Sequence, residues 1–326
     1  MEALIIAATL LWSFKADAPA DVAPLVAGDV VYYASADKKL YALDSRDGAR
    51  FWSRRFKAPL TTTPILAGGF LYQYVPHPEG RIYALRPEDG ETVWRAQAGP
   101  GIIIPAAGGG VVVAGLKHEL VFFDAATGEE LGRTPFDGVV TGAAATGDGD
   151  FVAWTAAGRM GRCGPGRAEP SWETDAARAA IYPAVAGNRI YVAEASGAVA
   201  CYDAVTGEEL WRRETGDKLG AAPELAGQGL IVAGRRTLFM FDVEGELLAE
   251  VEFDGNVVGA AASTGGAIVV REDGRVLIVY AGGSEGQGEI TELFRLEEYA
   301  ACAPVISGRL LLVADGKEQL KCYELE

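Results

Sequence analysis

Two histidines are the side chains of this sequence best suited to bind a metal or to transfer a proton at neutral pH. His77 and His118 fall in corresponding turns of two consecutive repeats, and Glu79 and Glu119 lie near them in sequence. A zinc site needs at least three protein ligands, and the sequence supplies no clear third one. The one Gly-x-Ser-x-Gly match, at residues 282–286, lies in a Gly-rich loop rather than in a strand-turn-helix, so a histidine-based triad lacks a recognisable nucleophile. We therefore interpret both histidines as solvated turn residues, and we expect neither a metal nor a catalytic set.

The four cysteines are the second group that could carry chemistry. Cys163, Cys201, Cys302 and Cys322 are scattered, with no Cys-x-x-Cys motif and no adjacent pair. This spacing argues against a zinc site and against a redox motif. A large domain does not depend on disulfide bonds, so we predict four free thiols buried in the core.

Composition and charge limit the class of partner. The chain has 326 residues, a formal net charge of −16, 49% hydrophobic residues and 42 glycines. A strongly acidic chain is a poor nucleic-acid binder, because phosphates are neutralised by clustered Lys and Arg. The many glycines favour short strands and tight turns. Apart from the N-terminal run discussed below, no apolar stretch approaches the length of a membrane-spanning helix.

An internal repeat positions all of these residues. A Pro-x-x-x-Gly unit, with Ala in place of Pro in two copies, recurs with its glycines 40, 41, 38, 40, 40, 38 and 43 residues apart. Each unit contains several short apolar runs separated by turns, which is the pattern of β-strands, and a period near 40 is typical of propeller blades. The sequence therefore predicts an all-β, eight-bladed β-propeller of four-stranded antiparallel blades, with residues 1–326 as a single domain. The unit glycines are Gly28, Gly68, Gly109, Gly147, Gly187, Gly227, Gly265 and Gly308.

The turn before the last strand of each unit has its own motif. It reads Asp44-x-x-x-Gly48-x-x-x-Trp52, and it recurs at residues 203–211 and, with Arg first, at residues 86–94. An Asp side chain can cap such a turn, and Gly allows a positive φ. We predict that the Trp packs on the neighbouring blade. The tryptophans at this position are Trp12, Trp52, Trp94, Trp172 and Trp211, whereas Trp154 lies in a second strand.

These motifs resemble those of the pyrroloquinoline-quinone-like repeat propellers over essentially the whole chain. The markers are Leu-Tyr-Ala-Leu-Asp at residues 40–44 and Asp-Ala-Val-Thr-Gly-Glu-Glu-Leu-Trp at residues 203–211. The quinoprotein enzymes of this class carry an adjacent cysteine pair and calcium ligands that include Asn. This chain has no Cys-Cys and only two asparagines, Asn188 and Asn256. We therefore expect no cofactor and no enzymatic activity.

Within this class, the repeat and the number of blades are similar to those of outer-membrane assembly lipoproteins, which implies a protein-binding scaffold. Those lipoproteins carry a lipobox cysteine near the start, whereas this chain has none before Cys163. The apolar residues 3–12 could form a signal-peptide core with cleavage after Ala20, but no Lys or Arg precedes them. We expect this segment to be retained, and the compartment, envelope or cytoplasm, stays open.

Closure of the ring accounts for the ends of the chain. Residues 320–326 form the third strand of the last unit, and no Trp strand follows them. Residues 10–14 form a Trp strand without a unit of their own. We predict that the N-terminal strand completes the last blade, which limits exposed strand edges. Residues 3–9 are not needed for this strand.

Two faces of the predicted ring differ in charge. The turns between third and fourth strands are rich in Asp and Glu, and we call that side the acidic face. We call the opposite side the link face, because it carries the second-to-third-strand turns and the links between blades. Its basic residues are predicted to meet a partner protein or an extended peptide of acidic character: Lys38, Lys39, His77, Lys117, His118, Arg159, Arg235, Arg236, Arg275 and Lys317.

Alternative functions remain open at this point. A small-ligand or carbohydrate sensor would use the central funnel, but the innermost strands contain runs such as residues 61–63, 102–104 and 143–145, which are Thr, Ile and Ala. An enzyme of unrecognised type is a third possibility. Units four and seven are irregular, with residues 159–167 and the Gly-rich loop 281–288 departing from the repeat. Our leading hypothesis is a non-catalytic interaction scaffold, monomeric on its own.

Overall fold

A computed structural model describes residues 7–18, 22–98, 106–176, 181–227, 229–263, 266–280 and 288–326. In these ranges the chain forms eight antiparallel four-stranded sheets, which are the blades of one propeller. This confirms the predicted fold class. No helix in the described ranges has the length and apolar character needed to cross a membrane.

The first four blades follow the predicted units. Their strands begin with β2, because β1 belongs to the last blade. Blades 1 and 2 comprise β2 Leu25–Ala27, β3 Val30–Ala34, β4 Lys39–Asp44, β5 Arg50–Arg55, β6 Ile65–Ala67, β7 Phe70–Val75, β8 Arg81–Leu85 and β9 Thr92–Gln97. Blades 3 and 4 comprise β10 Ala106–Gly108, β11 Val111–Leu116, β12 Glu119–Asp124, β13 Glu130–Pro135, β14 Val140–Ala145, β15 Phe151–Thr155, β16 Arg159–Cys163 and β17 Trp172–Asp175.

The remaining strands form blades 5 to 8 in the same way. Blades 5 and 6 comprise β18 Ile181–Ala186, β19 Arg189–Glu194, β20 Ala198–Asp203, β21 Glu209–Glu214, β22 Glu224–Ala226, β23 Gly229–Ala233, β24 Thr237–Asp242 and β25 Leu247–Glu252. Blades 7 and 8 comprise β26 Val257–Ser263, β27 Gly266–Arg271, β28 Arg275–Tyr280, β29 Glu289–Arg295, β30 Val305–Ser307, β31 Leu310–Ala314, β32 Gln319–Leu325 and, from the N-terminus, β1 Ala8–Lys15.

The hydrophobic pattern of each strand follows from its place in the blade. The second and third strands are buried on both sides by neighbouring blades, and β3 and β4 are therefore nearly continuous apolar runs. The fourth strand lies at the outer edge, and β5 alternates between exposed and partly buried residues. The core is thus divided into clusters between adjacent blades, such as Leu40, Phe56 and Tyr83 between blades 1 and 2.

The N-terminal strand closes the ring as predicted. β1 pairs antiparallel with β32, with Trp12 opposite Cys322 and Ser13 opposite Lys321. Trp12 is buried and packs in one cluster with Tyr33 and Leu43 of blade 1. The seam between the last and first blades is therefore packed like the others. Residues 1–6 and 19–21 lie outside the described ranges, and so do most of the apolar residues 3–9 and part of the candidate cleavage site.

The Asp-x-x-x-Gly-x-x-x-Trp motif acts between blades, as predicted. In the turn of blade 3, Asp124 Oδ1 accepts the backbone N–H of Thr127 at 2.8 Å. Gly128 has a φ of 72°, and a Cβ built on it would lie 2.6 Å from the ring of Trp94 in blade 2. The Trp94 indole donates to the carbonyl of Ala125 at 2.9 Å. Glycine is therefore required both by the backbone and by the ring that lies on it.

Blade 4 keeps its four strands in spite of its irregular sequence. Arg162 occupies the buried position that carries Ala42 in blade 1, and its Nε donates to Asp150 Oδ2 at 2.8 Å. A Cβ on Gly164, which stands where other repeats have Asp, would lie 2.3 Å from Asp150 Oδ1. A buried ion pair therefore replaces the apolar residue and the capping Asp of the other repeats. In blade 7, residues 281–287 of the Gly-rich loop lie outside the described ranges.

Candidate functional site

Every basic residue predicted for the link face lies in, or directly after, a turn between the second and third strands of a blade. Lys38 and Lys39 stand before and at the start of β4, and Arg235 and Arg236 lie between β23 and β24. His77, Lys117, His118 and Lys317 lie in the equivalent turns, and Arg159 and Arg275 are the first residues of β16 and β28. Whether this surface binds a partner stays a prediction.

Ion pairs divide these residues into two groups. Four of them are neutralised by neighbouring carboxylates. Lys39 Nζ lies 2.7 Å from Asp17, and Lys317 lies 3.1 Å from Glu298. Arg159 lies 3.1 Å from both Asp137 and Asp175, and Arg275 lies 3.3 Å from Asp273. Exposed pairs of this kind add little stability, but they cancel the positive charge that a partner would meet.

The links between blades supply several of these carboxylates. Asp137 precedes β14 and pairs with Arg159, whereas Asp254 precedes β26 and pairs with Arg271 and Arg275. Both aspartates belong to a Phe-Asp-Gly segment, residues 136–138 before blade 4 and residues 253–255 before blade 7, and the two segments thus have one structural role. In each, the Asp ties the link to a strand or turn of the blade that follows.

The second group has no ion-pair partner among the described residues. In the described ranges, Lys38, His77, Lys117, His118, Arg235 and Arg236 have no carboxylate within ion-pair distance. The guanidinium of Arg236 donates to the carbonyl of Phe253 at 3.2 Å. The unpaired positive charge of the link face is therefore concentrated at a few turns, of which the Arg235–Arg236 turn holds two adjacent residues.

A cleft of about 750 Å³ surrounds Arg235 and Arg236 between blades 6 and 7. Its other charged lining residues are Asp217, Lys218, Asp254, Arg271, Glu272 and Asp273. All four carboxylates have partners within the protein. Asp217 accepts the N–H groups of Lys218 and Arg236, Glu272 accepts from the Asn256 amide, and Asp254 and Asp273 contact Arg271. Among the described residues, Lys218, Arg235 and Arg236 are therefore the cations of the cleft without an ion-pair partner, whereas Asp217 and Glu272 are hydrogen-bonded by uncharged groups and keep their negative charge.

The turn that carries Arg235 is held in place by both flanking links. The N–H of Arg235 donates to the carbonyl of Lys218 at 2.9 Å, and its carbonyl accepts the N–H of Val257 at 2.9 Å. Next to it lies a smaller cavity of about 290 Å³, lined in part by Leu219, Val257 and Val258. We call the two cavities together the 6/7 cleft. It combines a fixed cationic rim with an apolar interior, an arrangement suited to a partner side chain anchored by both contacts.

A separate cavity, between blades 1 and 2, was not predicted. It holds about 570 Å³ and is lined by several arginines of β5, β8 and β9 in addition to Lys38. Arg54 and Arg95 lie in fourth strands, away from the turns on which the predicted face was based, whereas Arg81 is the first residue of β8, equivalent to Lys39 in β4. The signal that could have revealed them is the run of basic residues at the end of β5, which no acidic residue interrupts.

The histidines and the central funnel give no site in the described ranges. No group of three or more His, Cys, Asp or Glu residues there is arranged to hold a metal ion. The described innermost strands carry mainly Ala, Gly, Val, Leu and Ile, as in β6, β10 and β26. Residues 102–104 of the Ile run lie outside these ranges. A carbohydrate would find few hydrogen-bonding side chains on such strands.

The four cysteines are buried and form no disulfide bond, as predicted. Burial raises the pKa of the Cys201 and Cys322 thiols to about 12 and that of Cys163 further above its usual range. We expect the native protein to react far more slowly with Ellman's reagent than the denatured protein, because the thiolate is the reacting form. Titration in buffer and in guanidinium chloride measures this. A thiol that reacts equally fast in both conditions would contradict the buried assignment.

Comparison with known proteins gives consistent matches in sequence. A family described as outer membrane protein assembly factor BamB matches residues 6–90, 78–178 and 156–326. A protein of that name from Burkholderia pseudomallei is 26% identical over 221 residues, which cover 62% of this chain and 57% of that protein. The protein of that name from Nitrosomonas eutropha is 32% identical over 107 residues, covering 31% and 26%. In these matches the chain spans less than two thirds of the length of either relative.

Solved structures support the fold over nearly the whole chain. The crystal structure of BamB from Moraxella catarrhalis has a TM-score of 0.79 at 16% identity and covers 98% of both chains. The computationally designed protein Ika8 has a TM-score of 0.82 at 15% identity, covering 97% of this chain and all of that one. Because a designed protein matches as well as a natural one, these likenesses establish the fold alone.

Proposed function

We propose that this chain, which belongs to the protein family described as outer membrane protein assembly factor BamB, is a non-catalytic scaffold that binds a partner protein through its link face. The named relatives are assembly factors. Their name supports a role within a larger protein assembly.

The observation that carries the proposal is the group of cations in the 6/7 cleft that have no ion-pair partner in the part of the chain that the structure describes. Every carboxylate that lines it is engaged by an arginine, an asparagine or backbone N–H groups, whereas Arg235 and Lys218 have no carboxylate partner in the described ranges. Lys218, Arg235 and Arg236 thus form, within the described chain, a group of cations without ion-pair partners in a protein of net charge −16. An acidic segment would be attracted to these cations and repelled by the acidic face.

The shape of the cleft indicates what the partner presents. The apolar part, with Leu219, Val257 and Val258, would accept one aliphatic or aromatic side chain. Arg235 and Arg236 would bind carboxylates on either side of it, because guanidinium groups pair well with carboxylates. A protein segment with an apolar residue flanked by Asp or Glu therefore fits the site.

Charge reversal in the cleft tests the proposal. We expect the double variant Arg235→Glu/Arg236→Glu to weaken partner binding by at least about 2 kcal/mol, or roughly thirtyfold in Kd. The immobilised full-length protein captures partners from a cell-envelope extract, and mass spectrometry quantifies them. Binding assays with each captured protein then give the Kd.

A matched control changes the net charge equally on the opposite side. Arg50→Glu/Arg309→Glu replaces two exposed arginines near turns of the acidic face. The proposal requires proteins that are lost from the cleft variant and kept by the control, at unchanged melting temperature. Equal capture by both variants would remove the 6/7 cleft as the partner site.

A further inference from the structure

The cavity between blades 1 and 2 has an unusual balance of charge. It is formed by the end of β5, the link to β6, the turn before β8, and strands β8 and β9, and it encloses about 570 Å³. One carboxylate, that of Glu79, faces six cationic side chains: Lys38, Arg54, Arg55, Lys57, Arg81 and Arg95. The 6/7 cleft, in contrast, contains equal numbers of acidic and basic side chains.

The single carboxylate does not neutralise these cations. Glu79 Oε1 accepts the backbone N–H of Lys57 at 3.0 Å, and Oε2 accepts the hydroxyl of Tyr83. In the part of the chain that the structure describes, Lys38, Lys57, Arg81 and Arg95 form no ion pair. Other arginines on outer strands, such as Arg133 and Arg212, contact carboxylates of their own blade.

The strand register directs two of the arginines toward one point. Tyr83 of β8 is paired with Arg95 of β9, and Arg81 lies two residues before Tyr83 on the same strand. All three side chains therefore lie on the side of blade 2 that faces blade 1. Tyr83 is buried, and burial raises the pKa of its hydroxyl, against the smaller effect of both arginines, which act to lower it. Each guanidinium has five N–H donors, so most of their donors remain available to a ligand.

Arg54 forms a fixed wall of the cavity. Its guanidinium donates to the Gly90 carbonyl at 2.6 Å and lies 5.4 Å from the centre of the Phe56 ring and 5.9 Å from that of Tyr83. These contacts hold its charge in place. The cationic groups are thus arranged on packed strands before any ligand binds. This favours binding, because these side chains then lose less conformational freedom when the ligand binds.

Like charges that line one cavity repel one another, and an anionic ligand would reduce that repulsion. Arginine side chains match the oxygen geometry of phosphate with paired hydrogen bonds, and lysines add charge. The number of free cations and the size of the cavity exceed what one phosphate requires. We propose that this cavity binds a ligand that carries two neighbouring phosphoryl groups.

Calorimetric titration with inorganic diphosphate tests the site on the full-length protein. We expect saturable one-to-one binding at low ionic strength, weakened by added salt because exposed charges are screened. Arg81→Gln and Arg95→Gln should each weaken binding about tenfold, the effect of losing one charge-assisted hydrogen bond. Arg50→Gln, on the same strand as Arg54 but outside the cavity, should bind like the unchanged protein.

A further variant separates binding from stability. Lys38 has a φ of 72°, a conformation that glycine adopts without steric cost. Lys38→Gly should therefore leave the melting temperature unchanged or raise it, while it weakens diphosphate binding. Equal binding by Arg81→Gln, Arg95→Gln and the unchanged protein would overturn the proposal.

Vesicles distinguish the source of the phosphoryl groups. Binding to phosphatidylcholine vesicles that contain a polyprenyl diphosphate, reversed by added diphosphate, would indicate a lipid headgroup, whereas binding of diphosphate alone would indicate a soluble phosphorylated compound. Both results support the site. Binding of neither, or displacement of diphosphate by equimolar glutamate-rich peptide, would overturn the proposal, since the cavity would then be empty or would serve an acidic protein.

Discussion

Replacing Trp12 by alanine is expected to lower the free energy of unfolding by about 3–5 kcal/mol, the range for a large aromatic residue removed from a packed core. Trp12 is 6% exposed and is a residue of β1, in the last blade, that packs against blade 1. Its indole donates to the Ser45 carbonyl at 2.8 Å, and its ring lies directly on Gly48. The substitution would therefore remove both the hydrogen bond and the packing that close the ring. Urea unfolding followed by circular dichroism measures the effect.

A neighbouring residue supplies the control for this experiment. Leu11 lies on the same strand but is 40% exposed, so Leu11→Ala should change stability by only about 0.5 kcal/mol, as exposed substitutions usually do. A Trp12→Ala variant as stable as Leu11→Ala would show that β1 is not what holds the last blade to the first.

Much of this fold could be predicted because each blade repeats the same local chemistry. The spacing of Asp44, Gly48 and Trp52 encodes a turn and a contact with the next blade, and both occur in the structure. The orphan Trp strand at the N-terminus required a partner strand, and the incomplete last unit required a fourth strand. Local patterns were sufficient wherever the determining contacts recur at a fixed spacing.

The buried ion pair of blade 4 could not be predicted from the repeat. Its third strand has Arg162 and Gly164 where the pattern requires an apolar residue and Asp. The compensation comes from Asp150, which lies one strand earlier and which the repeat does not mark. Such a buried pair depends on the three-dimensional position of two non-equivalent residues, so the repeat could not reveal it.

The repeat predicted where the turns of the link face lie, but neither which of their charges are paired nor the cavity between blades 1 and 2. The turns that carry Lys39, Arg159 and Arg235 were assigned to the correct face. Which of them remains unpaired depends on carboxylates contributed by the links, such as Asp17 and Asp137. The cavity between blades 1 and 2 depends on which side of a blade Arg81 and Arg95 occupy, and this requires the strand register. Pairing across segments, rather than composition, decides where free charge lies.

Replacing Gly128 by alanine is expected to destabilise the protein by about 2–5 kcal/mol, the combined effect of a positive φ on a residue with a side chain and of overpacking. The φ of Gly128 is 72°, and the added Cβ would lie 2.6 Å from the ring of Trp94. Trp94 is 8% exposed and held by its hydrogen bond to Ala125, so it cannot move aside easily. Urea unfolding measures the loss.

Two variants separate the backbone cost from the steric cost. Gly68 has a φ of 58° but no atom within 4 Å of an added Cβ, so Gly68→Ala should cost only the backbone part, about 1–2 kcal/mol. In a Trp94→Ala background, Gly128→Ala should cost no more than Gly68→Ala does, because the ring is gone. A double-mutant cycle measures this coupling directly. If Gly128→Ala costs the same with and without Trp94, the glycine of the motif is required by the turn alone, and docking of the tryptophan plays no part in its selection.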